Sequence, residues 1–302
     1  MGAAGVTDPV LTEGLARIAS EIDRAFDALL PVPGDARATL FEAMRYAAIG
    51  GGKRLRPLLL TAVADMYGVQ REAAVRAGIA LEAIHVYSLI HDDLPCMDDD
   101  AMRHGKPTVH KAYDEATAVL AGDSLHAFAF EVLSDPATSA DPFTRIELVQ
   151  TLGQASGARG MAGGQMMDLV AETREFDLQT VTRLQQLKTG ALLGAAVEMG
   201  AILGRVAPEG RTHLRGYARD IGLAFQIADD LIDHEGDAAV AGKAVGKDAI
   251  AGKQTFVSLL GPERAREQAR MLVDQAVEHL AQHGREADLL RAVARYIVER
   301  DH

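Results

Sequence analysis

The feature that most restricts the fold is a helical pattern of apolar residues that runs along almost the whole chain. Short breaks rich in glycine and proline separate the helical segments, and the clearest breaks lie at residues 31–34 and 204–210. Residues 73–90 and 197–203 are apolar nearly all round, which is typical of central helices enclosed by other helices. Convincing segments with the alternating pattern of strands are absent. The sequence therefore predicts an all-α fold.

The composition agrees with closely packed helices. Hydrophobic residues make up 48% of the 302 residues, whereas aromatic residues make up only 5% and tryptophan is absent. No linker rich in proline, serine or charge divides the chain. We therefore expect a single large domain over residues 1–302.

Charge and cysteine content restrict the partners and the compartment. The net charge of -12 argues against a nucleic-acid partner. The lone Cys96 excludes an intramolecular disulfide, and the N-terminus lacks the pattern of a signal peptide, so we expect a cytoplasmic protein. The most apolar long stretch, residues 191–204, contains Glu198 and is too short to cross a bilayer, so no membrane span is expected.

Two runs of aspartate follow apolar helical segments, so both carboxylate clusters are expected to lie in the interior. Their members are Asp92, Asp93 and Asp98 in the first run and Asp229, Asp230 and Asp233 in the second. Buried carboxylates require cations. Oxygen donors with few histidines and one cysteine favour Mg²⁺, Mn²⁺ or Ca²⁺ over zinc, and sparse carboxylates favour Mg²⁺ shared with substrate phosphates.

The spacing within each run suggests how the carboxylates meet. Asp229 and Asp233 are four residues apart and share a helix face, so we expect three oxygens to converge there, with Asp230 beside them. In the first run Pro95 cannot continue a helix normally, so the chain is expected to bend and to return Asp98 toward Asp92.

A basic turn is the natural complement of these carboxylates. Residues 51–57 read Gly-Gly-Lys-Arg-Leu-Arg-Pro, which is not a Walker phosphate loop. The glycines let backbone N–H groups approach a phosphate, and Lys53 and Arg56 can point the same way if a helix begins here. A solvated helix start is the alternative interpretation.

Residues 236–252 are rich in glycine, alanine and lysine and include Lys243 and Lys247, with Lys253 just beyond. This composition suits a lid that closes over phosphates, and it equally suits a solvated surface loop.

Other polar positions have ordinary interpretations when taken alone. His85 and His91 can be core histidines, Phe225 and Gln226 can be packing residues, and the glycines before Gln165 can simply allow close helix contact. The two aspartate runs, which share a type and have basic complements, favour a metal site.

With both aspartate runs and the basic turn in place, the chain resembles the trans-isoprenyl diphosphate synthases, most closely the bacterial farnesyl type. The resemblance covers nearly the whole length. It extends to residues 84–91, to Gly163-Gly164-Gln165, Lys188-Thr189-Gly190 and Phe225-Gln226, and to Gly246-Lys247-Asp248. It implies an all-helical fold, a homodimer, and a deep pocket between central helices with an aspartate run on each of two opposing walls.

The resemblance also implies residue roles. Asp92, Asp98 and Asp229 ligate several Mg²⁺ ions, or Mn²⁺, with Asp93, Asp230 and Asp233 in support. The residues implied for the allylic diphosphate are Arg103, Lys188 and Lys243, and Lys253 is a further implied substrate-binding residue. Those implied for isopentenyl diphosphate are Gly52, Lys53, Arg56, His85, His104 and Arg300. Thr189 and Gln226 face the reacting carbons, next to Phe225.

The implied reaction is ionisation of an allylic diphosphate, alkylation of isopentenyl diphosphate by the cation, and loss of a proton. Tyr87, with Ser88, lies about 7.5 Å of helix before Asp92 and is expected to stop elongation at a C15 product. The alternatives are geranylgeranyl synthesis, a non-catalytic partner subunit, which commonly lacks one of the runs, and a terpene cyclase, whose second metal motif differs from residues 229–233.

One position departs from the family pattern. His104 occupies the place of an arginine that normally contacts isopentenyl diphosphate, and histidine is shorter and only partly charged at neutral pH. We expect weaker binding of that substrate, or binding that improves as the pH falls toward about 6.

Overall fold

The structure, a computed structural model, describes residues 8–235 and 253–299. Its α-helices are α1 (Pro9–Leu29), α2 (Ala38–Ala48), α3 (Leu55–Met66), α4 (Arg71–Asp92), α5 (Val109–Ala112), α6 (Glu115–Ser134), α7 (Pro142–Ser156), α8 (Met161–Ala171), α9 (Leu178–Gln185), α10 (Ala191–Leu203), α11 (Thr212–Glu235), α12 (Phe256–Leu260), α13 (Pro262–His279) and α14 (Asp288–Glu299). A π-helical segment, Gln186–Gly190, joins α9 to α10, and 3₁₀ turns occupy Pro208–Arg211 and Arg285–Ala287. The all-α prediction is confirmed.

A very short hairpin interrupts the helices. Strand β1 (Met102–Arg103) pairs with β2 (Lys106–Pro107) in antiparallel register. Its turn residues His104 and Gly105 have φ of 50° and 75°. Positive φ at both central residues matches the type I′ turn that the right-handed twist of a hairpin favours. The hairpin was not predicted, because two-residue strands are too short to show an alternating pattern.

The chain divides into two compact units. One is Gly14–Val149, and the other is Gln150–His302 together with Met1–Glu13. In the first, α4 packs extensively against α6, and Ile84 and Leu125 are fully buried. In the second, α11 packs against α13, and the buried Tyr217 hydroxyl donates to the carbonyl of Leu290 on α14 at 2.7 Å. The single-domain organisation stays a prediction.

The two most apolar long helices, α4 and α6, would each be long enough to cross a membrane by length and composition alone. This is weak evidence, because the core helix of a globular protein passes the same test. Most of the apolar window of α4 is buried within the protein.

Candidate active site

The first aspartate run lies at the C-terminal end of the buried helix α4. The helix ends at Asp92, and the chain turns through Pro95. The backbone N–H of Asp98 then donates to the carbonyl of Asp92 at 2.8 Å. The predicted bend is therefore present, and it brings these two aspartates together at the backbone.

Asp93 is directed differently from its neighbours. Its carboxylate is buried, with Arg103 Nε at 2.7 Å from Oδ1 and 2.9 Å from Oδ2. Burial raises the pKa of Asp93, although Arg103 opposes that change. Burial also acts to lower the pKa of Arg103, but the bond to Asp93 outweighs it and the pKa is raised. Both residues were predicted to meet Mg²⁺ or diphosphate; in the structure they pair with each other, and those roles stay predictions.

The basic turn separates its cations. Arg54 is buried and adopts a left-handed conformation just before α3. It bonds Glu82 Oε1 and Asp23 Oδ1, each at 2.8 Å. Lys53 is exposed and Arg56 is half-buried. Because α3 begins at Leu55, Lys53 precedes the helix, so the two cations predicted to act together lie on different backbone elements.

His85 lies among positive charges, and His104 lies among charges of both signs. Burial lowers the pKa of His85 well below its usual value, and the charges of Arg56 and Arg103 lower it further. The hairpin turn holds the His104 ring near Gly52, whose added Cβ would lie 3.9 Å from His104 Nε2. Burial and then Arg103 lower the pKa of His104. An anion would relieve this accumulation of positive charge.

A partly open cavity adjoins this region. Its volume is about 60 Å³, and its lining includes Tyr46, Gly51, Asp93, Arg103 and His104. A concave surface with a few convergent polar groups is typical of a small-molecule site.

Tyr87 lies on α4 as expected and is half-buried. Burial raises its pKa, and the charge of Asp92 adds to the effect. Ser88, which was grouped with it, donates its hydroxyl to the carbonyl of His85 at 2.8 Å and so bonds within its own helix.

The second aspartate run lies near the end of α11. Asp229 and Asp233 are half-buried, but Asp230 is buried. Its Oδ1 accepts from Gln226 Nε2 at 3.2 Å, and its Oδ2 accepts from the backbone N–H of Phe256 at 2.9 Å. The first turn of α12 thus supplies the partner that a buried carboxylate requires.

The expected convergence of three oxygens is therefore wrong. Within residues 8–235 and 253–299, no group of three or more His, Cys, Asp or Glu side chains is placed to hold a metal ion. The physical reason is that Asp230 caps a neighbouring helix, which directs its carboxylate to backbone and amide donors.

Lys188 and Thr189 lie in the π-helical segment Gln186–Gly190. Such segments insert one extra residue per turn and often occur at functional sites. The Thr189 hydroxyl donates to Gln226 Oε1 at 3.1 Å, so two residues predicted to face the reacting carbons are in contact. Phe225, the neighbour of Gln226, is half-buried.

Asp168 is a site residue that the sequence analysis missed. Its Oδ2 accepts from Lys188 Nζ at 2.8 Å and from Lys253 Nζ at 2.9 Å. Burial acts to raise the pKa of Asp168, but the two lysines outweigh it and the pKa is lowered. The available signal was a lone acidic residue in the apolar helix α8, shortly after Gly163-Gly164-Gln165.

The carboxylates of the two runs are of a type that suits Mg²⁺. Asp93 pairs with Arg103, and Asp230 pairs with the start of α12. Asp92 with Asp98, and Asp229 with Asp233, each offer two further carboxylates. Mg²⁺ usually takes one or two protein carboxylates and completes its shell with water and substrate phosphates. Two-carboxylate pairs fit that mode better than a closed protein cage. Lys243, Lys247 and Arg300 lie outside the described residues.

Comparisons with known proteins agree with this chemistry. The family model "Polyprenyl synthetase" matches residues 37–296. Farnesyl diphosphate synthase of Escherichia coli is 45% identical over 86% of this chain and 89% of its own. A chloroplastic geranylgeranyl pyrophosphate synthase of Capsicum annuum is 43% identical over 87% of this chain and 72% of its own. The crystal structure of an FPP/GFPP synthase from Zymomonas mobilis has a TM-score of 0.88 and 59% identity, and covers 95% of this chain and 98% of that chain.

Proposed function

Because this chain belongs to the polyprenyl synthetase family, we propose that it is a trans-prenyltransferase of the farnesyl diphosphate synthase type. It joins isopentenyl diphosphate to dimethylallyl and then geranyl diphosphate, and it releases diphosphate at each step. The observation that carries the proposal is the turn at the end of α4, where the Asp98 N–H bonds the Asp92 carbonyl at 2.8 Å and Arg103 pairs with the neighbouring Asp93. The predicted cytoplasmic location is part of the same proposal.

The allylic diphosphate is bound through carboxylates and lysines. Asp92 with Asp98, and Asp229 with Asp233, are the proposed ligands of Mg²⁺, which when bound neutralises the charge that develops on the departing diphosphate. Lys188 is a further proposed donor to a diphosphate oxygen. Contacts that strengthen as charge separates lower the barrier selectively.

The carbocation forms next to polar oxygens. The Thr189 hydroxyl donates its proton to Gln226 Oε1 at 3.1 Å. The lone pairs of Thr189 Oγ1 can therefore face the cation, and their dipole stabilises it. The released diphosphate is the proposed acceptor of the proton that is lost at the end.

Isopentenyl diphosphate binds at the basic turn. Lys53, Arg56 and His85 supply donors, and the low pKa of His85 reflects burial first and then the positive charge of Arg56. His104 lies over Gly52 in the position that the diphosphate is proposed to approach. A doubly charged ligand is favoured here because it compensates several cations at once.

A C15 product is favoured by the Tyr87 ring. The ring lies on α4 about 7.5 Å before Asp92 along the helix axis. We expect Tyr87→Ala to lengthen the product. A C15 product from that variant would refute the steric argument. Geranylgeranyl synthesis remains the second candidate, because the relative from Capsicum annuum carries that name.

We also propose a homodimer. Helices α6 and α7 expose large apolar side chains, with Leu120 54%, Phe143 79% and Ile146 64% exposed. Phe143 and Ile146 are three residues apart and share one helix face. Light scattering after size exclusion should give twice the chain mass, and Phe143→Asp should shift the protein toward the monomer. A wild-type protein that is monomeric throughout would contradict the proposal.

The function is tested by product analysis. The purified protein is incubated with Mg²⁺, labelled isopentenyl diphosphate and either the C5 or the C10 allylic diphosphate, and the dephosphorylated products are separated by chromatography. A C15 alcohol from both starters is expected. A C20 alcohol would retain the chemistry but overturn the product length, and no condensation product from folded protein would refute the function.

A matched pair of variants makes this test specific. Asp98→Asn removes a proposed metal ligand and should abolish most of the turnover. Asp99→Asn is the control, because Asp99 is exposed and has φ of 46°, a conformation that asparagine adopts readily. Equal losses in both variants would contradict the assignment of Asp98.

A further inference from the structure

An aromatic stack joins α4 to α6 below the first aspartate run. The Tyr87 and His126 ring centroids are 4.8 Å apart at an interplanar angle of 43°. Phe130 lies edge-on to His126 at 5.4 Å. His91 lies edge-on to Tyr87 at 5.8 Å, on the side of Asp92. Tyr87 is thus held by rings from two helices.

The upper end of the stack is locked by backbone contacts. A Cβ on Gly122 would lie 2.1 Å from His91 Nε2, so the absence of a side chain there makes room for the ring. His91 Nε2 is also 3.1 Å from the carbonyl of Val119. This contact fixes the register of the two helices, so His126 lies opposite Tyr87.

The two helices run in opposite directions through the stack. His91 meets residues 119 and 122, whereas Tyr87, one turn earlier on α4, meets His126, one turn later on α6. Phe130 is four residues further along α6, about 6 Å lower. A chain that grows along α4 away from Asp92 therefore meets Tyr87 first, with His126 beside it and Phe130 beneath.

We propose that His126 is a specificity-determining residue that holds the Tyr87 ring across the path of the growing chain. Product length is then set by the Tyr87–His126 pair, with Phe130 as a second barrier, rather than by Tyr87 alone. The inference rests on the proposed prenyl transfer and deepens it.

Two physical points support a positioning role. Stacked and edge-to-face aromatic rings restrict each other's rotation, so a tyrosine packed against two rings has fewer accessible rotamers than one packed against none. His126 is exposed in the single chain, and its partial desolvation lowers its pKa, which favours the neutral form of the ring that packs against Tyr87. Without His126, the Tyr87 ring can swing aside while its own atoms remain.

The test compares product ratios in variants of the full-length protein. His126→Ala should raise the ratio of C20 to C15 product by about tenfold. The loss of one aromatic contact of ordinary strength changes the relative rates of two competing reactions by about this factor. His126→Phe keeps an aromatic ring and should keep the wild-type ratio. Tyr87→Ala combined with His126→Ala should give the same product ratio as Tyr87→Ala alone, because His126 acts through the Tyr87 ring.

Controls separate this inference from the function on which it rests. Glu131→Ala changes an exposed residue of the same helix outside the stack and should keep the wild-type ratio. If His126→Ala does not fold, Tyr87→Ala combined with Phe130→Ala serves instead and should give longer products than Tyr87→Ala alone, because the second barrier is removed. The inference is overturned if an active His126→Ala protein matches the Glu131→Ala control, or if His126→Phe lengthens the product as much as His126→Ala. A wild type with no condensation product refutes the proposed function itself.

Discussion

Replacement of Gly164 by alanine should damage the site through the backbone. A Cβ at this position would lie 2.2 Å from the backbone N and 2.5 Å from the Cα of Lys188. Ordinary Cβ contacts begin near 3.4 Å, so α8 and the π-helical segment must separate by about 1.2 Å. Backbone atoms cannot rotate away as a side chain does, so the displacement passes directly to Lys188 and Thr189.

The magnitude follows from two opposing effects. Glycine-to-alanine in a helix normally stabilises the fold by about 0.4–1 kcal/mol. Overpacking against fixed atoms costs about 1–3 kcal/mol, and a conflict of this size belongs at the upper end. We therefore expect a net loss of about 2 kcal/mol in the free energy of unfolding. A displacement of about 1 Å at Lys188 should lower kcat by about 100-fold.

Gly194 offers a matched control in the next helix. An added Cβ at Gly194 has no atom within 4 Å, so Gly194→Ala should stabilise the protein slightly and leave kcat unchanged. Urea denaturation would give the free energies of unfolding, and steady-state assays would give kcat. If Gly164→Ala matched Gly194→Ala in both quantities, the close-contact argument would be refuted.

Three further predictions concern charge. His104→Arg should lower the KM for isopentenyl diphosphate at pH 8, and the difference from wild type should shrink only below about pH 6.5. The reason is that burial and Arg103 lower the pKa of His104, so its protonation requires more acid than usual. An unchanged KM at pH 8 contradicts this prediction. Lys188→Ala should lower kcat about 100-fold or more. Asp168→Asn should lower kcat less, because the lysine remains. Steady-state kinetics that reverse this order would contradict the assigned roles. Glu82→Gln should lower the free energy of unfolding in urea by about 3 kcal/mol because it removes one partner of a buried ion pair, and a loss below about 1 kcal/mol would indicate that the remaining bonds compensate.

Helices and their breaks were predictable because their signals are local. The apolar pattern at residues 73–90 corresponds to α4, and the breaks at residues 31–34 and 204–210 separate helices as expected. The hairpin at residues 102–107 was missed because its stability depends on a two-residue turn rather than on a repeating pattern. The division into two units is also invisible in sequence, since it arises from contacts between distant residues.

For the candidate site, the sequence predicted the bend of the chain but not the partners of its aspartates. The bend after Asp92 followed from the inability of Pro95 to continue a helix normally. The bond of Asp93 to Arg103 and that of Asp230 to Phe256 join residues whose contact depends on tertiary structure. The structure also lowers the pH range in which His104 gains charge, relative to the range expected from the sequence. Burial lowers the pKa of His104, and burial is a property of the folded chain.

The shared bond of two lysines to Asp168 has a consequence for the end of each catalytic cycle. Under the proposed function, Lys188 and Lys253 must exchange a carboxylate oxygen for a phosphate oxygen when substrate arrives, and must exchange it back when diphosphate leaves. Asp168 thus competes with diphosphate for the two lysines, which limits how tightly the released diphosphate is retained. Without it, the enzyme would hold diphosphate longer, and product inhibition would become stronger.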